Sequence, residues 1–230
     1  MTMERRLKAL VAFSCFLQVM IVLNQIRRIY AEVPTAQNPV QDAAPHTTIN
    51  VRSMKKKGNI QAKIAIIEFS DFECPFCSRH TNAVAPALDN EFVVPGNVQR
   101  IFANFPLAIH NDAIFLANSA LCAGDQGRFW DMHDRLFWKA LRHKDDVRKE
   151  ATELGIDPVR FDKCLEEHLD LKEIEADQLQ ARRLGFTGTP SFAIGIYTGE
   201  DIVTVKKTIV GAQSVDVFES ALNQLLRAVR

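Results

Sequence analysis

The chain has 230 residues, enough for one domain or a domain with an insertion, and 47% of them are hydrophobic, ample for a globular core. Its 28 lysines and arginines equal its 28 aspartates and glutamates, so no net basic field exists to attract nucleic acid. No internal repeat or long low-complexity tract interrupts it.

At the start, Glu4, Arg5, Arg6 and Lys8 precede an apolar stretch over 9–23, broken only by Ser14, Cys15 and Gln18. A positive region followed by an apolar one is an export signal, so residues 1–31 are predicted to be a signal peptide or a retained N-terminal membrane anchor. Ala31 can end a cleavage site, although Ile29 is bulkier than the small-residue pattern prefers. The apolar run falls short of the roughly 18–20 residues that span a bilayer comfortably. More positive charge precedes the run than follows it, which puts the bulk of the chain outside, in the periplasm or on the extracytoplasmic face of the membrane. Disulfides persist in such a compartment. The remaining cysteines are then even in number: Cys74, Cys77, Cys122 and Cys164.

Residues 32–47, with Pro34, Pro39 and Pro45, read as an extended linker. A short strand is predicted near 48–52 and a solvated turn at 55–59, whose three lysines need no function. The isoleucine-rich run 63–69 reads as a buried strand. A helix follows from Pro75 toward residue 92, with a kink at Pro86. The next strand is 98–103. From about 111 to 184 the chain reads as several helices, with Phe115, Ser119 and Cys122 at helical spacing, as are Phe129, His133, Leu136 and Phe137. Further helices are predicted near 145–154, 158–168 and 171–183. Strands return at 191–196 and 202–210, joined by a turn, and a last amphipathic helix runs over 215–229 with Ser214 as its N-cap. This order describes an α/β, thioredoxin-like fold over 48–230 with an inserted helical domain at about 110–184.

The chemistry sits in Cys74-Pro75-Phe76-Cys77, between a strand and a helix. A thiol at a helix N-terminus faces unpaired backbone N–H groups and the positive end of the helix dipole, which favours thiolate. A second thiol three positions on lies one turn away, close enough to close a small reducible disulfide. The alternative is half of a metal site. His80 offers a third ligand, but no clear fourth is visible, and it reads better as a surface helix residue. Glu68, six residues before Cys74, is anomalous in an apolar strand. Burial should raise its pKa and suit it to acid–base work. Asp71 and Glu73 read as loop polars near the surface, and His133 as a hydrogen-bonded packing histidine. Cys122 and Cys164 are candidates for an accessory structural disulfide, with buried free thiols as the alternative.

Three stretches, 68–77, 120–137 and 185–192, resemble the DsbA-like thiol:disulfide oxidoreductases, and the resemblance extends over roughly 60–228. It implies that Cys74 is the nucleophile, Cys77 the resolving thiol, and Glu68 a group that assists proton transfer to it. It further implies that Pro190 is cis and faces the cysteine pair, so that Pro75, Phe76, Thr189 and Pro190 meet substrate. Phe76 replaces the histidine of the best-known strong oxidases and should make the pair somewhat less oxidising. The implied function is introduction of disulfides into reduced exported proteins. A quinone-linked membrane partner would reoxidise the pair, with no bound cofactor and no metal; monomer and dimer both remain open. The same residues would serve a disulfide isomerase or reductase. A non-catalytic binding module or a metal carrier is the reading from a different class.

Overall fold

The computed structural model describes residues 39–167 and 172–229, together with residues 18 and 20. The expected signal or anchor and the first part of the expected linker, to residue 38, lie outside the described residues, apart from 18 and 20. Among the described residues no helix is long and apolar enough to cross a membrane.

Within the unit Pro39–Arg230, seven strands form one sheet: β1 (Val40–Asp42), β2 (Thr48–Asn50), β3 (Lys55–Lys57), β4 (Ile64–Ser70), β5 (Val98–Asn104), β6 (Ser191–Gly199) and β7 (Ile202–Val210). Their order is β1-β7-β6-β4-β5-β3, with β2 also paired to β7. Only β4 and β5 run parallel; the remaining pairs are antiparallel. Both of these strands are buried along all seven residues, which is why each reads as an apolar run rather than as an alternation.

After β4 the chain enters α1 (Pro75–Arg79), passes through a π-helical turn (His80–Val84) into α2 (Ala85–Leu88), and ends in a second π-helical turn (Asp89–Val93). The break predicted at Pro86 is thus spread over the turn before it. A π turn shifts the hydrogen-bond ladder, so the bond that the proline nitrogen cannot make is never required. Five helices follow β5: α3 (Ala113–Gly124), α4 (Phe129–Lys139), α5 (Lys144–Glu153), α6 (Pro158–Glu167) and α7 (Lys172–Arg183). The last helix, α8 (Val215–Ala228), starts at Ser214, whose hydroxyl makes no cap bond.

Alternation along β4 divides the core. Ala65, Ile67 and Phe69 pack with Ile101, Phe186 and Val203 on one face. Ile64 and Ile66 pack with Val84, Leu88, Phe192, Phe218 and Leu222 under α2 and α8 on the other. A third cluster joins the helical block to the cysteine pair, with Cys74, Cys77, Phe72 and Phe102 against Leu116, Met132, Phe137 and Phe161.

Two expected irregular segments are strands instead. Val40–Asp42, inside the predicted linker, pairs with β7 from Val40 opposite Ile209 to Asp42 opposite Lys207. The lysines of the predicted turn form edge strand β3, paired with β5. Each has an anionic partner: Lys55 with Glu173, Lys56 with Asp201 and Lys57 with Asp89. Lysines on an edge strand also discourage pairing with another sheet.

Cys122 in α3 and Cys164 in α6 are bonded, with Cα atoms 5.6 Å apart and a sequence separation of 42. Closing a loop of that length restricts the unfolded chain by about 4 kcal/mol. A Cys122→Ala, Cys164→Ala protein is therefore expected to lose about 4 kcal/mol in urea unfolding, and a loss below about 1 kcal/mol would contradict the account. Alkylation of the denatured, unreduced wild type should leave both residues unlabelled.

Candidate functional site

Strand β4 ends at Ser70, and a tight turn closed by Cys74 N–H to Asp71 C=O (3.1 Å) brings the chain to the mouth of α1. Cys74 occupies the N-cap with extended backbone, and Pro75 takes the first helical position, where its missing N–H costs nothing. The Cys74 carbonyl accepts the Ser78 N–H at 3.1 Å. Both thiols are free and buried, whereas Phe76 between them is 54% exposed. Phe76 also carries the Arg79 guanidinium over its ring, 5.2 Å from the centroid.

The two thiols have opposite acidities. Cys74 is lowered from 9.0 to about 5: a hydrogen bond from the Cys77 side chain contributes most, burial opposes it, and Thr189 with the Cys77 and Phe76 backbone N–H groups adds to it. Cys77 is pushed well above 9.0, first by burial and then by the neighbouring Cys74. Hydrogen bonding to the charged form thus wins at Cys74 and burial wins at Cys77.

The second wall is the β6 approach. The Thr189-Pro190 peptide is cis, and the Thr189 carbonyl oxygen lies 3.5 Å from Cys74 Sγ. The cis peptide and the approach of Thr189 to Cys74 are the arrangement that the resemblance implied.

Beneath them lies Glu68, only 1% exposed. Its Oε2 is 3.2 Å from Arg100 Nη2 and 3.9 Å from His80 Nε2. Arg100 reaches on to Asp89 at 3.3 Å, which also holds Lys57 at 2.8 Å. The expected rise in the Glu68 pKa does not occur. Burial pushes it up, but His80 and Arg100 outweigh burial, and the net shift is down. Glu68 is thus a carboxylate at neutral pH, and a weaker base than an ordinary glutamate. Ser70, on the same face of β4, has a single hydroxyl proton that can turn toward either Glu68 or Cys77 and favour the charged form of the one it faces.

His80 corrects another expectation. It is not a surface residue but is 1% exposed, and its ring packs 4.5 Å from Phe192 and 5.2 Å from Phe218. Burial lowers its pKa to about 4, so it is neutral at pH 7. The apolar spacing of the helix, which places position 80 one turn from Cys77 on the inner face, was the signal that it points inward. Among the described residues no group of three or more His, Cys, Asp or Glu side chains is arranged to hold a metal. His133 is fully buried, ringed by Phe72, Phe102 and Phe137, with Nδ1 2.8 Å from Asp134.

Sequence reasoning missed Arg100 and Asp71. Arg100 was legible as the one cation inside β5, a buried strand next to the one that carries Glu68. Asp71 and Glu73 are not loose surface polars: Asp71 is 1% exposed, and both accept backbone N–H groups from the segment that follows β5.

The sequence pattern of the Thioredoxin family matches residues 51–209. The chain belongs to this thioredoxin family. It is 26% identical over 220 residues to a probable disulfide bond formation protein D of Bacillus anthracis, covering 91% of this chain and 97% of that protein. It is also 33% identical over 144 residues to a Na(+)/H(+) antiporter NhaA 1 of Salinispora arenicola, but there it spans only 21% of the antiporter's length. Oxidised BdbD from Bacillus subtilis shares the fold at a TM-score of 0.67, with 18% identity, 81% of this chain and all (100%) of that one. Wolbachia pipientis alpha-DsbA1 does so at 0.65, with 21% identity, 77% of this chain and 92% of that one. The thioredoxin fold with an inserted helical region, expected from element order, is thus the observed one.

The shifted Cys74 acidity gives a pH signature. A lowered folded-state pKa stabilises the dithiol form above the unfolded value and loses that stabilisation as pH falls through the folded value. The stability of the reduced protein relative to the oxidised one is therefore expected to rise between about pH 5 and 9.0 and to be absent below 5. Paired urea titrations of the two redox forms would check this; a flat difference would contradict the assignment.

Proposed function

We propose that this protein is an extracytoplasmic thiol:disulfide oxidoreductase that introduces disulfides into exported polypeptides through the Cys74 and Cys77 pair. The observation that carries the reading is the split between the thiols: a stabilised Cys74 thiolate at a helix mouth and a Cys77 thiol held neutral by burial.

A substrate thiolate attacks Sγ of Cys74 in the oxidised pair, forming a mixed disulfide and breaking the Cys74–Cys77 bond. Cys77 leaves with the electron pair and takes a proton, because its buried thiolate is unfavourable. That proton comes from solvent, which received it when the substrate thiol ionised, because Glu68 on the adjoining face of β4 is already ionised and has none to give. A second substrate thiolate then attacks the substrate sulfur of the mixed disulfide and expels the Cys74 thiolate. The substrate has lost two electrons and the pair has gained them. A good leaving thiolate at Cys74 favours this direction, since it stabilises the reduced enzyme. The likeness to the Bacillus disulfide bond formation protein supports the same reading.

Substrates bind across Pro75, Phe76, Thr189 and Pro190, where the exposed Phe76 offers an apolar contact and the Thr189 backbone a strand-like one. A quinone-linked membrane protein returns the pair to the disulfide. The isomerase or reductase reading uses the same residues with the reduced pair as the resting form.

Mixing the oxidised protein with a reduced, unfolded polypeptide should transfer one disulfide per enzyme, and Cys74→Ser should abolish the transfer. In glutathione buffers the pair is expected to be reduced more readily than glutathione disulfide. A pair that stays oxidised at equal potential would remove the oxidase reading and favour a reductase, and absence of any transfer would remove both.

A further inference from the structure

The turn that delivers Cys74 is gripped from inside by a carboxylate for which the reaction above has no use. The Asp71 side chain is 0% exposed. Its Oδ1 accepts the Glu73 N–H at 2.8 Å. Its Oδ2 accepts the Leu107 N–H at 2.8 Å and meets His110 Nδ1 at 2.7 Å. Its carbonyl accepts the Cys74 N–H, and its own N–H favours the Cys77 thiolate. Next to it, Glu73 Oε2 accepts the Asp112 N–H at 2.8 Å. The two carboxylates of the turn therefore hold segment 105–112, the passage from β5 into α3.

We propose that Asp71 is a positioning residue of the dithiol site: its carboxylate latches segment 105–112, through Leu107 and His110, to the turn that seats Cys74 at the mouth of α1. The inference rests on the oxidoreductase reading and deepens it.

The donor count makes the latch specific to a carboxylate. Three donors converge on two oxygens, and a carboxylate has acceptor sites for all of them. An asparagine has one oxygen. Whichever way it is turned, its NH2 faces a backbone N–H, either that of Glu73 or that of Leu107, and a buried N–H loses its partner. The turn then loosens on one side. The Cys74 thiolate is stabilised first by the Cys77 side chain and then by Thr189 and the Cys77 and Phe76 backbone N–H groups; all of these depend on where the turn seats Cys74, so the cost falls on its thiolate. His110 contributes a side-chain donor that is 16% exposed and replaceable. An asparagine at 110 carries an NH2 near the place of Nδ1 and keeps that bond.

The test uses the full chain, reduced, and follows thiolate absorbance against pH together with the equilibrium with glutathione and the unfolding temperature. Asp71→Asn is expected to raise the Cys74 midpoint by about one pH unit, an about tenfold loss of thiolate below the midpoint. His110→Ala should move it the same way by less, and His110→Asn should restore the wild-type curve. A folded Asp71→Asn protein with a lower unfolding temperature but an unchanged Cys74 titration and glutathione equilibrium would overturn the proposal, since a merely structural role does only that. If Asp71→Asn does not fold, His110→Ala decides: an unchanged titration overturns the latch. Failure of the underlying reading looks different, because the wild type itself would then titrate near the ordinary thiol value.

Discussion

Everything functional in this molecule depends on placing two thiols of one helical turn in different electrostatic surroundings. Cys74 sits where the backbone N–H groups of a helix start have no intrahelical partner, and Cys77 sits one turn deeper with no exposed surface. The first setting favours charge and the second penalises it. A disulfide between such a pair is readily reduced, because the reduced pair carries its charge on the stabilised Cys74. The cis Thr189-Pro190 segment closes the site from the other side without covering Phe76.

Beneath the pair is an ionic chain that the sheet makes possible. Glu68 and Arg100 lie in neighbouring parallel strands, offset by two positions in register, since Ile66 is opposite Arg100 and Glu68 opposite Phe102. A lone buried carboxylate would be driven toward its neutral acid. Here Arg100, tied in turn to Asp89 and through it to Lys57, keeps the group ionised. The consequence is a fixed negative charge in the core rather than a stored proton. His80 and His133, both neutral from burial, fill the apolar surroundings of this chain and do not neutralise it.

Much of this was legible in the sequence, and the failures have common causes. The order of strands and helices, the Cys74 helix mouth, the helical block and the burial of Glu68 all follow from residue pattern, because periodicity and Pro placement report local structure directly. What pattern could not supply was the partner of each polar group. His80 was read as exposed from its residue type, although its spacing from Cys77 put it on the inner face, and it packs against Phe192 and Phe218. Asp71 looked like a loop residue because its donors come from 36 and 39 residues further along the chain. The direction of the Glu68 shift was missed for the same reason: burial was inferred, but Arg100 was not paired with it. The lysines at 55–57 read as a turn, although they pair as an edge strand, since three like charges hide strand propensity.

The most direct test of the central claim is competition between the two thiols for an alkylating reagent in the folded, reduced protein at pH 6, read by peptide mass mapping. The account predicts that Cys74 is labelled at least about tenfold faster than Cys77, even after allowing for the lower intrinsic nucleophilicity of an acidic thiol. Equal labelling, or preferential labelling of Cys77, would contradict it.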